Sequence, residues 1–120
     1  MAKNKFYIKG KAVTNDILTA DFAAAPAFDR VRVGKLGVFC TSAFRTEFFS
    51  YRDIGRAFLR IYEGTAQLCC GALGYNYTSL VLLGTSGEVL REQFTENEAA
   101  MRQALAAIGD NAPHILLEAH

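Results

Sequence analysis

At 120 residues, with 51% hydrophobic and 21% charged residues, the chain has the size and balance of one ordinary globular domain and enough apolar material to bury a core. No apolar stretch approaches the ~20 residues of a membrane-spanning helix. Nor does an apolar run follow Met1-Ala2-Lys3-Asn4-Lys5, as a signal peptide requires, and three cysteines with two adjacent make no disulfide framework. The expectation is a single domain over residues 1–120 of a cytoplasmic protein.

The formal net charge of +1 hides an asymmetry. Residues 1–60 hold eleven of the thirteen Lys and Arg against five of the twelve acids, whereas residues 61–120 hold two and seven. An anionic partner is compatible with this split, and so is a domain or homo-oligomer with complementary faces.

In chain order, Lys3 to Val13 reads as a strand with Phe6 and Ile8 on one face and Lys3, Lys5, Tyr7, Lys9 and Lys11 on the other. From Thr14 to Ala27 the pattern breaks up; Asn15-Asp16 and Pro26 are turn signals, with Ile17, Leu18 and Phe22 as anchors. Arg30 to Thr41 and Phe44 to Tyr51 are rich in Val, Phe and Thr and predict two strands joined by a short Thr41-Ser42-Ala43 connection. Ile54 to Tyr62 alternates, with Ala57, Leu59 and Ile61 facing one way and Arg56, Phe58, Arg60 and Tyr62 the other; a helix is the rival reading. Glycines 64, 71, 74, 84 and 87 divide the next stretch of chain into strand-length pieces, Ala66–Leu73, Tyr75–Leu83 and Glu88–Phe94, with Thr85-Ser86-Gly87 as a hairpin turn.

The chain then predicts an amphipathic helix from Thr95 to Ile108. Thr95 and Glu98 have the spacing of a capping box, Met101, Ala104, Leu105 and Ile108 form one stripe, Glu98 and Arg102 sit one turn apart, and Gly109 is placed to end the helix. Pro113 to Leu117 reads as an apolar tail that packs on the body, with a strand offered to a partner chain as the alternative. The fold class expected is mainly β: a bent antiparallel sheet or partly open barrel closed by one C-terminal α-helix.

The segment Phe48-Phe49-Ser50-Tyr51-Arg52-Asp53-Ile54, an aromatic-ended strand running into Tyr-x-Asp-Ile and another alternating strand, resembles the corresponding stretch of bacterial pleckstrin-homology-like and GRAM-type domains. The hairpin from Tyr77 to Phe94, followed directly by the closing helix, is similar to their C-terminal part. The resemblance covers residues 30 to 108. It implies a strongly bent antiparallel sheet with one end closed by the helix. The chain departs from it in having no Trp, which eukaryotic members carry in that helix, and in the segment before Arg30.

Few residues point to chemistry. Cys69 and Cys70, as strand neighbours, would face opposite ways and could not grip one metal; no metal-ligand spacing accompanies them, and the histidines, His114 and His120, lie near the C-terminus. Asp53 is the most suggestive acid, with a turn cap as its ordinary role, and the glycines make neither a Walker pattern nor Gly-x-Gly-x-x-Gly. No catalytic residue, cofactor or metal is expected. In lipid-binding pleckstrin-homology domains a first-strand lysine and an Arg/Lys-x-Arg on the second strand surround head-group phosphates, and Lys9 or Lys11 with Arg30-Val31-Arg32 look similar. Lysines along a first strand also protect a sheet edge. A near-neutral pI of 7.7 and the lack of stacking partners beyond Tyr7 argue against nucleic acid. Arg56, Phe58, Arg60 and Tyr62 have the composition of an interaction surface if exposed; otherwise the helix or a loop covers them. The expected function is a non-catalytic binding module for a protein partner or its own copy. Peripheral binding of anionic lipid or phosphate through Lys9, Lys11, Arg30 and Arg32 is the alternative, and a small enzyme using Cys69, Cys70 or Asp53 the third reading.

Overall fold

The computed structural model describes residues 5–42, 45–68 and 71–117. Lys5–Ile8 (β1) and Lys11–Thr14 (β2) form an antiparallel hairpin turned by Lys9 and Gly10, both at positive φ (52° and 84°). Two left-handed residues in succession match the twist of the flanking strands, so the single strand expected from Lys3 to Val13 is cut in two. The lysine row goes with it. Lys9 sits in the turn, and Lys11, paired opposite Ile8, lies on the face opposite that of Lys5 and Tyr7.

Asn15 is a helix cap: its Oδ1 accepts from the amides of Ile17 and Leu18 at 2.8 and 3.1 Å and starts Asp16–Ala24 (α1), where no helix was expected. Of the three anchors, Leu18 is buried and Phe22 packs beside it, but Ile17 is exposed. Ala27–Phe28 (β3) precedes Val31–Val33 (β4) and Gly37–Thr41 (β5), so the strand expected from Arg30 to Thr41 is also a hairpin. The Asp21 carboxylate holds its turn by accepting from the amides of Lys35 and Leu36 at 2.9 and 3.0 Å. Thr46–Ser50 (β6), inside the strand expected from Phe44 to Tyr51, returns antiparallel to β5, whose last residue is Thr41; Ala43 of the expected connection and Phe44 of the expected strand lie outside the described residues. A 3-10 turn, Tyr51–Asp53, leads into Ile54–Leu68 (β7), a strand and not a helix. Gly71–Gly84 (β8) and Val89–Thr95 (β9) follow, joined by the expected Thr85-Ser86-Gly87 turn. Gly64 and Gly74 do not break the chain; both lie inside paired strand, and the expected piece Ala66–Leu73 belongs to the end of β7 and the start of β8.

The strands make two sheets, ordered β2-β1-β6-β5-β4-β3 and β7-β8-β9. The first is mixed because β1 runs parallel to β6. Strand periodicity of two then sorts the core into layers. Phe6, Phe39 and Phe48 face α1 and meet Leu18 and Phe22. Val31, Val33, Val38 and Cys40 face the other way, onto Ala57, Leu80 and Leu82 of the second sheet and Met101, Ala104 and Ile108 of the C-terminal helix. The fold is therefore mainly β, a bent sheet closed by a C-terminal helix, with two separate sheets rather than a closed barrel among the described residues.

That helix is Glu98–Asn111 (α2), starting later than expected. Asn97 caps it by accepting from the Ala100 amide at 3.0 Å, while Thr95 ends β9; its Oγ1 accepts from the Asn97 amide and donates to Asp29. The Glu98–Arg102 pair forms at 2.7 Å. Gly109 lies within the helix, where a Cβ would meet Leu117 Cδ1 at 2.6 Å; the C-cap is Ala112. The tail packs on the body: Ile115 is buried, and Leu116 adds to the rim of β7, its carbonyl accepting from the Ala57 amide at 2.8 Å and its amide donating to the Gly55 carbonyl at 3.2 Å.

Candidate functional site

The register of the second sheet sets its outward face. Pairs Phe58↔Val81, Arg60↔Ser79 and Tyr62↔Tyr77 between β7 and β8, and Ser79↔Phe94 and Val81↔Glu92 between β8 and β9, place these side chains together, opposite the core-facing Ala57, Leu80 and Leu82. The stripe from Arg56 to Tyr62 thus shares one face, but not one environment. Phe58 is buried. Arg60 is exposed, 5.8 Å from the Phe58 ring centre, and its Nη1 donates to the Tyr62 hydroxyl at 3.3 Å. Arg56 stands at the far end of the strand, beside Leu116 and Leu83 in a shallow pocket of about 330 Å³.

Glu92 joins the three strands. Its Oε2 accepts from Ser79 Oγ and Tyr62 OH, both at 2.6 Å, and faces Arg60 Nη1 at 3.4 Å. Desolvation alone would raise this carboxyl; the hydrogen bonds from Ser79 and Tyr62 and the Arg60 charge together outweigh it and hold the group below its ordinary value. Beside this hub, the Tyr62 and Tyr77 rings stack at 5.0 Å, and Phe94 meets both at 5.8 Å, edge-on to Tyr77. Phe94 is 51% exposed. The Tyr77 and Phe94 rings open on a groove of about 710 Å³ whose other walls include Asp29, Arg30, Glu96 and Asn97. Sequence reading found Arg60 and Tyr62 but missed Tyr77, Glu92 and Phe94. The local signal for Tyr77 was its alternation with Ser79 on β8; the register that joins three strands had none.

The basic residues are not brought together. Lys11 lies on β2 at one edge of the six-stranded sheet and Lys9 in the turn beside it; Arg32 lies on β4, with β1, β6 and β5 between. At ~4.8 Å per strand that is roughly 19 Å. Arg32 is held elsewhere: its Nη1 donates to the Phe22 carbonyl at 3.0 Å. Arg30, in the turn before β4, lines the aromatic groove.

Cys40 is buried, and desolvation pushes its thiol up to about 12 despite the Arg91 charge; Cys69, Cys70 and His120 lie outside the described residues. Asp53 ends the 3-10 turn, and His114 Nε2 sits 3.0 Å from the Tyr51 carbonyl. Among the described residues no three His, Cys, Asp or Glu side chains are grouped to hold a metal, and no helix is long and apolar enough to cross a membrane. A second cavity, about 560 Å³ and largely apolar, lies between α1 and the β4–β5 turn, lined by Ile17, Ala20, Ala24, Leu36 and Asn111. Comparison with protein-family models, curated proteins and solved structures finds no match to this chain.

Proposed function

We propose that the chain is a non-catalytic binding module that engages a protein partner through the Tyr62–Tyr77–Phe94 face of its second sheet. One observation carries this reading: three aromatic rings in mutual contact beside an exposed arginine, the outermost half exposed and two of them, Tyr77 and Phe94, lining an open groove. Aromatic rings offer large contact area with little conformational entropy to lose, and with Arg they are enriched in interface cores. The bent sheet and closing helix are in keeping with a pleckstrin-homology-like scaffold, which by itself assigns no site. Anionic lipid or phosphate binding has less support, because Lys9 and Lys11 stand apart from Arg30 and Arg32.

The test is selection of peptide ligands from a displayed random library against the purified chain, followed by mapping of the bound peptide through amide chemical shifts. Shifts centred on Tyr62, Tyr77 and Phe94, with binding lost in Phe94→Ala at unchanged circular dichroism, support the reading. Peptides that map to the cavity beside α1 overturn it. Salt-sensitive sedimentation with anionic vesicles, abolished by Lys9→Glu or Arg30→Glu, would favour the lipid alternative.

A further inference from the structure

We infer that the open edge of β7 is a homodimer interface, where a second copy of this chain pairs antiparallel with it about a two-fold axis and the two three-stranded sheets become one of six. The dimer goes beyond the binding reading above and stands on a different feature of the second sheet, its backbone edge and not its aromatic face.

The pairing of β7 with β8 continues to Leu68↔Gly71, but β9 accompanies β8 only as far as Thr78↔Thr95. Beyond that point residues 63–68 and 71–76 pair only with each other among the described residues. They form a two-stranded arm ~20 Å long, and a two-stranded ribbon is marginal in water unless a further strand or packed element supports it.

The outer side of β7 can receive that strand. Gly55 and Ala57 use their outward backbone groups to bind Leu116. Antiparallel alternation then points the groups of Leu59, Ile61, Glu63, Thr65 and Gln67 the same way, and no strand among the described residues pairs with them. The other sheet edges carry features that discourage pairing: β2 is four residues long and bears Lys11, β3 has two residues after Pro26, and β9 bears Arg91 and Glu92. Past Glu63 the edge of β7 has none; the sequence is without a charged residue from Gly64 to Gly87.

A second copy fits this edge with the two-fold axis at Thr65: Glu63 then lies opposite Gln67, no like charges are opposed, and the pairing closes after two chains. A two-fold axis normal to the sheet keeps the faces in register, so both Tyr62–Tyr77–Phe94 patches flank the seam on one side. An edge ~23 Å long over residues 62–68 with a side-chain band ~10 Å deep on each sheet face covers roughly 460 Å² per copy, the size of a weak, reversible interface.

The experiment is sedimentation velocity of the full chain from low micromolar to submillimolar concentration, with hydrogen exchange of the backbone amides over the same range. The expected result is a monomer–dimer equilibrium in which the amides of Glu63, Thr65 and Gln67 slow as concentration rises, and in which Thr65→Lys weakens dimerisation about tenfold. Should Thr65→Lys not fold, the concentration dependence of these amides in the unaltered chain decides alone. A monomer at every concentration overturns the homodimer, as does a dimer that leaves these amides unprotected or an assembly that grows past two copies. Peptide binding at the aromatic face surviving in such a monomer leaves the module reading standing; a dimer through β7 without peptide binding there removes the peptide-docking face alone.

Discussion

Arg32 is joined twice to Phe22: its guanidinium centre lies 4.3 Å from the ring centre, and Nη1 donates to the carbonyl at 3.0 Å. That carbonyl belongs to the last turn of α1, where helical donors run out and the helix dipole favours a cation. Arg32 therefore fastens α1 to β4. Arg32→Lys keeps the charge but loses the planar stack and is expected to cost about 1 kcal/mol, and Arg32→Ala about 2 kcal/mol, by urea denaturation. Equal stability of all three chains would sink this role.

Glu92 is held ionised by three donors on two neighbouring strands. Its folded carboxyl lies below the ordinary 4.5, so the unfolded chain takes up the proton first as pH falls. The stability from Glu92 is present above the ordinary value and is lost as pH falls through the folded one. Glu92→Gln is expected to cost about 1 kcal/mol near neutral pH, with the gap to the unaltered chain narrowing in acid. Denaturation midpoints across an acid series check it; a constant gap would mean that the carboxylate charge contributes nothing.

What was legible in the sequence was whatever repeats locally. Met101, Ala104 and Ile108 are buried because a 3.6-residue period fixes a helix face without knowledge of its neighbour, and Ala57 and Tyr62 sort onto opposite faces for the equivalent reason in a strand. Distant partners were not legible. Asn15 reads alike as a turn residue and a cap, and α1 exists in this form because Phe22 and Leu18 reach Phe6, Phe39 and Phe48 on three strands. The lysine row failed at Gly10, where a strand was assumed to run through a two-residue turn. The aromatic site was half visible: Tyr62 shares a strand with Arg60, while Tyr77, Glu92 and Phe94 join them only through register.

Gly37 marks a close approach. It pairs with Ser50, and a Cβ there would run into the Phe49 carbonyl oxygen and sit 2.8 Å from two carbons of the Phe48 ring. Backbone cannot give way as a flexible side-chain end can, so Gly37→Ala is expected to cost at least about 2 kcal/mol. Gly10→Ala, with nothing within 4 Å but φ at 84°, should cost about 1 kcal/mol from backbone strain alone. Thermal denaturation of the pair separates crowding from conformation, and the reverse ranking would contradict the packing of β5 on β6.

Cys40 and Tyr51 govern the alkaline limit. Burial pushes the Cys40 thiol from 9.0 and the Tyr51 phenol from 10.0 up to about 12, the latter against a hydrogen bond from Asn111 that favours ionisation and with the nearby Asp21 charge. Both groups keep their protons in the folded chain after the unfolded chain has lost them. The stability they carry is therefore complete below the ordinary values and drains away as pH rises toward the folded ones. Near pH 11 the loss from Cys40 is on the order of 2 to 3 kcal/mol, and that from Tyr51 about 1 kcal/mol. Cys40→Ala trades a small cavity, about 1 kcal/mol, for freedom from that drain. It should be less stable than the unaltered chain near pH 8 and more stable near pH 11. Urea denaturation at the two pH values measures the crossing; parallel curves would show that ionisation of the buried thiol is not coupled to unfolding.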